Sequence, residues 1–172
     1  MDLGPVQRIT TDAIGEPGER VFYLQTRAGD ELITMIVEKQ QVQLLSTSIL
    51  ELLATLDIET GPGPDESDMA LEEPIEARWR AGRLALGFDQ ALGMFTLEIE
   101  ELRAELEDDD VADAPEEPGE VVRLMATTEQ MFAVSRHGAA VAARGRPACQ
   151  FCGNPMDPEG HACPAMNGHS RR

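Results

Sequence analysis

The chain has 172 residues, 42% of them hydrophobic, and a formal net charge of -18, which suffices for one ordinary domain with a small appendage. So negative a chain repels nucleic-acid phosphates, whose neutralisation by Lys and Arg supplies most affinity for DNA, so nucleic acid is an unlikely partner for the whole chain. No apolar run approaches the roughly 20 residues that span a bilayer, and "MDLGPVQRITTD" lacks a basic stretch followed by an apolar one, so a cytoplasmic location and no membrane contact are expected.

"RVFYLQTR" and "ELITMIVE" read as strands, with "GEPGE" and "AGD" as turns. They predict a three-stranded meander over Val6–Ala13, Arg20–Arg27 and Glu31–Glu38. The period then changes. Val42, Leu45, Ile49, Leu52, Leu53 and Leu56 recur at helical spacing, which predicts a helix from about Glu38 to Leu56. Lys39, Gln40 and Gln41 at its start read as capping and solvation. The loop "DIETGPGPDESDMALEEP" offers little to bury.

Ile75, Ala77, Trp79 and Ala81 alternate with Glu76, Arg78 and Arg80, a half-buried strand with its charged face in water. "RLALGF" and "MFTLEIE" are the next two strands, joined by "DQALG". From Glu98 to Glu120 the chain is dense in acids, with Arg103 its one base, and residues 108–120 read as a mobile, self-repelling linker. "VVRLMA" is a short strand. The helix in "TTEQMFAVSRHGAAVAARG" has a capping box in Thr127 and Gln130, Arg144 in its last turn, and Gly145 where a left-handed cap belongs.

These elements predict an α+β fold of two antiparallel strand sets, each followed by a helix. The helix starts "EKQQVQLL" and "TTEQMFAV" suggest a weak internal repeat, packed as a pseudo-twofold sandwich with the helices on one sheet face. The body covers residues 1–146, and residues 147–172 form a zinc-knuckle tail.

That tail, "CQFCGNPMDPEGHACPAMNGH", holds all 3 cysteines and two of the 3 histidines. An odd thiol count in a reducing compartment points to metal or reactive thiols rather than disulfides. Cys149 and Cys152 are spaced C-x2-C, so two thiolates can reach one ion while backbone N–H groups of the turn point at the sulfurs. Gly153 supplies the positive φ of the turn. Cys163 gives a third thiolate. His161 is the favoured fourth ligand, being on the same short loop as Cys163, and His169 is the alternative. Four protein ligands close a tetrahedral site, so the zinc is structural rather than catalytic.

"EKQQV", "GRPACQFCGNPMDPEGHACP" and "NGH" resemble the marks of a bacterial family catalogued as domain of unknown function 3090, over nearly the whole chain. The resemblance implies a shared architecture and places His161 inside the "GHACP" block. It implies no activity. The tail also resembles zinc-ribbon knuckles in general, which serve mostly in protein and nucleic-acid contacts.

Elsewhere the chemistry is bland. His137 reads as an exposed or partly packed helix residue, with a supporting role near the zinc as the alternative. The chain has no G-x-S-x-G, P-loop or G-x-G-x-x-G. The function expected is therefore a noncatalytic zinc-stabilised adaptor or regulatory module with a protein partner. The alternatives are an enzyme or enzyme accessory factor with a pocket between the two halves, and a nucleic-acid-associated factor. The latter would use Arg136, Arg144, Arg146, Arg171 and Arg172 at the basic C-terminal end.

Overall fold

The computed structural model describes residues 1–103, 119–145, 149–153, 156 and 163. In chain order they form β1 (Asp2–Pro5), β2 (Arg8–Ile14), β3 (Val21–Ala28), β4 (Glu31–Val37) and α1 (Lys39–Thr55). A 3-10 turn (Glu66–Met69), β5 (Ala77–Asp89), β6 (Met94–Glu101), β7 (Val121–Ala126) and α2 (Thr128–Ala143) follow. The class is α+β, as expected.

The expected strand sets are joined into one sheet of order β1-β7-β6-β5-β4-β3-β2. Its parallel pairs are β4 with β5 and β1 with β7; the other neighbours are antiparallel. The edge strands β1 and β2 are consecutive in the chain, with only Val6 and Gln7 between them. Val6 N–H donates to Met125 O of β7 at 2.9 Å, and Gln7 N–H donates to Arg27 O of β3 at 3.0 Å. The two edges therefore meet at this link, which continues the β1–β7 ladder on one side and the β2–β3 ladder on the other.

β1 was not legible in the sequence. Its four residues carry one large apolar side chain, and it forms because β7 offers a ladder, Asp2 opposite Arg123. β5 is one strand of 13 residues where two were expected. The reason is an irregularity between Ala81 and Arg83. Trp79 and Ala81 face the core, then Leu84 and Leu86 do, so the alternation slips a phase at Gly82 and reads as a strand end. A Cβ on Gly82 would stand 3.0 Å from Leu102 Cα, which explains the glycine. Ala77, expected inside, is exposed at the strand's start.

Both helix starts carry a capping box, Glu38 with Gln41 and Thr127 with Gln130. The end of α2 differs from expectation. Arg144 stays right-handed at φ -67 and ψ 4, its N–H bonded to Ala140 O, so the chain leaves the helix without a left-handed Gly145.

The loop after α1 buries more than expected. It straps across α2 and the outer face of β2 and β3, and its Met69 is only 2% exposed. Thr10 Oγ1 donates to Met69 O, and Arg8 donates to Asp68 O. Buried Gln25 exchanges hydrogen bonds with Glu72: its amide donates to Glu72 O at 2.9 Å and accepts from Glu72 N–H at 2.8 Å.

The core lies between the sheet and the two helices, which pack on each other. Val42, Leu45, Ile49 and Leu53 of α1 meet Met131, Val134 and Val141 of α2, over Phe95, Leu97, Ile99, Val122 and Leu124 of the sheet. Each large side chain so buried contributes about 1.5–3 kcal/mol.

The acidic segment of residues 108–120 lies outside the described residues up to Pro118, but its end is packed. The Glu120 carboxylate accepts from Arg78 Nε at 2.7 Å and from Trp79 Nε1 at 3.1 Å, so Glu120 belongs to the body, not to a linker.

Candidate metal centre

Beyond α2 the chain turns sharply. Gly153 N–H donates to Cys149 O at 2.8 Å, and Gly153 takes φ +75, the left-handed conformation expected of the glycine after the second cysteine. Phe151 N–H points at Cys149 Sγ, 3.4 Å away. These features bend the C-x2-C turn around one sulfur.

The turn brings Cys149 and Cys152 together, and Cys163 joins them across the sequence. All three sulfurs lie within 4.8 Å of one another, and Cys149 Sγ and Cys163 Sγ are 3.8 Å apart. Sulfurs held about 2.3 Å from a tetrahedral ion stand roughly 3.8 Å apart, so this spacing suits thiolates around one metal. None of the three is in a disulfide. Cys149 and Cys163 are buried and Cys152 is half-buried. The Phe151 N–H, followed by the Cys152 N–H, holds the Cys149 thiol below its ordinary range. That favours the thiolate, the form that binds metal. The cluster can hold a metal ion. His161 and His169 lie outside the described residues.

His137, expected at the surface or lightly packed, is 4% exposed. Its partners are acids of the body. Nδ1 lies 2.8 Å from Glu66 Oε1, and Nε2 lies 3.7 Å from Asp12 Oδ2. His137, followed by Arg144, holds the Glu66 carboxyl below the usual carboxylate range. Arg136 donates to Pro62 O and lies over the Phe132 ring, and Arg144 donates to Glu66. Two of the five arginines of the basic end are thus engaged within the body. Arg146, Arg171 and Arg172 lie outside the described residues.

Sequence reasoning did not place a groove of about 610 Å³ between α1 and β5, lined by five leucines, among them Leu44, Leu52 and Leu84, and by polar residues that include Glu51 and Arg83. One signal was present: Leu44 stands off the core stripe of α1 and is 61% exposed. Among the described residues no helix is long and apolar enough to cross a membrane.

The profile of the family described as protein of unknown function (DUF3090) matches residues 1–163, and the chain belongs to that family. No curated protein and no solved structure matches it.

Proposed function

We propose that this DUF3090 protein is a noncatalytic, zinc-stabilised adaptor or regulatory module that works in the cytoplasm through a protein partner. The observation that carries the reading is the convergence of Cys149, Cys152 and Cys163 within 4.8 Å. In this reading His161 closes a tetrahedral structural site, with His169 as the alternative fourth ligand. Three thiolates leave the ion little Lewis acidity, and four protein ligands leave no position for a reactive water.

The tail of residues 147–172 is then a knuckle folded by its metal, and residues 1–146 are a body with its own core. The contact surface combines the knuckle and the end of α2. Phe151, held between two ligands and 70% exposed, is its apolar anchor. The acidic body draws basic partners. The groove between α1 and β5 exposes more apolar than polar surface, which suits contact with a partner.

Elemental analysis of the purified protein tests the reading. One zinc per chain is expected, absent in Cys149→Ser, much reduced in His161→Ala and nearly unchanged in His169→Ala. Loss with His169→Ala and retention with His161→Ala would reverse the choice of fourth ligand. A metal-free protein with an ordered tail would end the proposal.

A further inference from the structure

The two helix–strand junctions of the body share one pattern. Gln130, third in α2, donates through Nε2 to Val6 O and Gln7 O at 3.2 and 3.0 Å, where β1 gives way to β2. Gln41, third in α1, donates to Ala81 O and Gly82 O at 3.3 and 2.9 Å, where β5 is irregular. The parallel pairs agree in register as well. β1 meets β7 at Asp2↔Arg123 and Pro5↔Met125, and β5 meets β4 at Ala77↔Thr34 and Arg80↔Ile36. Counting from these points, α2 with β2 corresponds to α1 with β5. Ala133 corresponds to Leu44, His137 to Ser48, Val141 to Leu52, Arg144 to Thr55 and Arg8 to Arg83.

The two grooves differ in what fills them. Between α2 and β2 runs the strap that leaves α1. Arg136 holds its Pro62 O, His137 and Arg144 hold its Glu66, and Arg8 and Thr10 hold the carbonyls of Asp68, Ala70 and Met69. Gly63 lies so close to α2 that an added Cβ would stand 3.2 Å from Ala133 Cβ. Under this cover Ala133 is 1% exposed. Leu44, its counterpart, is 61% exposed. β5 also has a bare margin there. β4 ends at Val37 and pairs with β5 only as far as Arg80. Beyond that point β6 is the one strand paired with β5 among the described residues.

We propose that the α1–β5 groove takes an extended, basic peptide segment of a partner protein, which adds a strand to the free margin of β5. Main-chain groups of β5 supply hydrogen bonds, and alternate side chains of the peptide enter the leucine-lined groove. The body's other groove already accepts a segment of chain at the corresponding place. Charge selects the occupant. Arg83 is neutralised by Glu100 at 2.9 Å, while Glu51 in the groove and Asp89 at the end of β5 have no ion pair among the described residues. A net charge of -18 also sets two copies of this chain against each other and favours a basic partner. Among the described residues, the groove's lining includes none of the cysteines.

The test uses the full chain and a fluorescein-labelled ten-residue peptide of alternating Val and Lys. Fluorescence anisotropy should show saturable binding. Methylating alternate backbone nitrogens of the peptide should weaken it more than tenfold, because the strand bonds are lost. Leu44→Lys should weaken it as much, through lost apolar contact and added like charge, and Ser48→Arg serves if that variant melts early. The counterpart with Glu for Lys should not bind. Absence of binding by the Lys peptide overturns the proposal. So does equal binding of the N-methylated peptide, which would reduce the effect to charge attraction. A dimer that Leu44→Lys dissociates in sedimentation would assign the groove to a second copy. Binding only after deletion of residues 164–172 would assign it to the chain's own end. Either result replaces the proposed occupant.

Discussion

On the proposed reading, the body and the cysteine tail are held by different physics. The body buries a shared core of strand and helix side chains, so removing one contact leaves many others. In the tail, three thiols within 4.8 Å stand where a core would be. A segment that short buries too little apolar area to offset the entropy of ordering it. On the proposed reading, the comparison teaches that one chain can carry two stabilities, one set by buried area and one set by metal.

The largest effect should come from metal removal. A strong chelator is expected to abolish the order around Cys149, Cys152 and Cys163 while the far-ultraviolet dichroism and melting of the body change little. Cooperative loss of both regions would merge them into one unit. The converse experiment is a core truncation. Leu97 is 1% exposed in the middle of the sheet, and Leu97→Ala should cost about 2–5 kcal/mol in chemical denaturation. Below the melting temperature, metal content should stay at the parent value. Loss of metal in the folded variant would show that the tail borrows its stability from the body.

A smaller effect tests local structure in the body. Thr127 Oγ1 accepts from Gln130 N–H at 3.2 Å, and Thr127→Ala should cost about 0.5–2 kcal/mol. A denaturation midpoint equal to the parent's would remove Thr127 from the cap. The smallest concerns Glu66. Its carboxyl is held low by His137, followed by Arg144, so it stabilises the fold above its unfolded value of 4.5. That contribution is lost as pH falls below 4.5 through the lower folded value. Glu66 is largely exposed, so the effect should stay under about 1 kcal/mol. Stability of Glu66→Gln should fall less steeply with acid in that window; parallel curves would show that the ion pair contributes nothing.

Local features were legible in the sequence because they depend on near neighbours. The helix around Ile49 announced itself through apolar spacing, and the observed Lys39–Thr55 lies within one residue of the expected ends. The capping box of Thr127 and Gln130, the strands "VVRLMA" and "MFTLEIE", and the turn at Gly153 are likewise set by a few adjacent residues. For the same reason the C-x2-C spacing and the third cysteine named the thiol cluster that can hold a metal.

Other features depend on partners far along the chain. β1 has no pattern of its own and exists because β7 pairs with it. The slip in β5 hid one strand as two, since alternation alone does not distinguish a bulge from an end. Met69 stands in a loop that by itself offered little to bury, until β2 and α2 gave it a place. His137 looked like an exposed or partly packed helix residue until the strap brought Glu66 against it. By itself the sequence determined the helices, most strands, the acidity and the thiol cluster, because period, composition and short spacing are properties of a local stretch. Only the tertiary structure decided how the strands join into one sheet whose edges meet, which of the two grooves is filled and which side chains become buried. Those outcomes arise from contacts between segments whose separation in sequence says nothing about their distance in space.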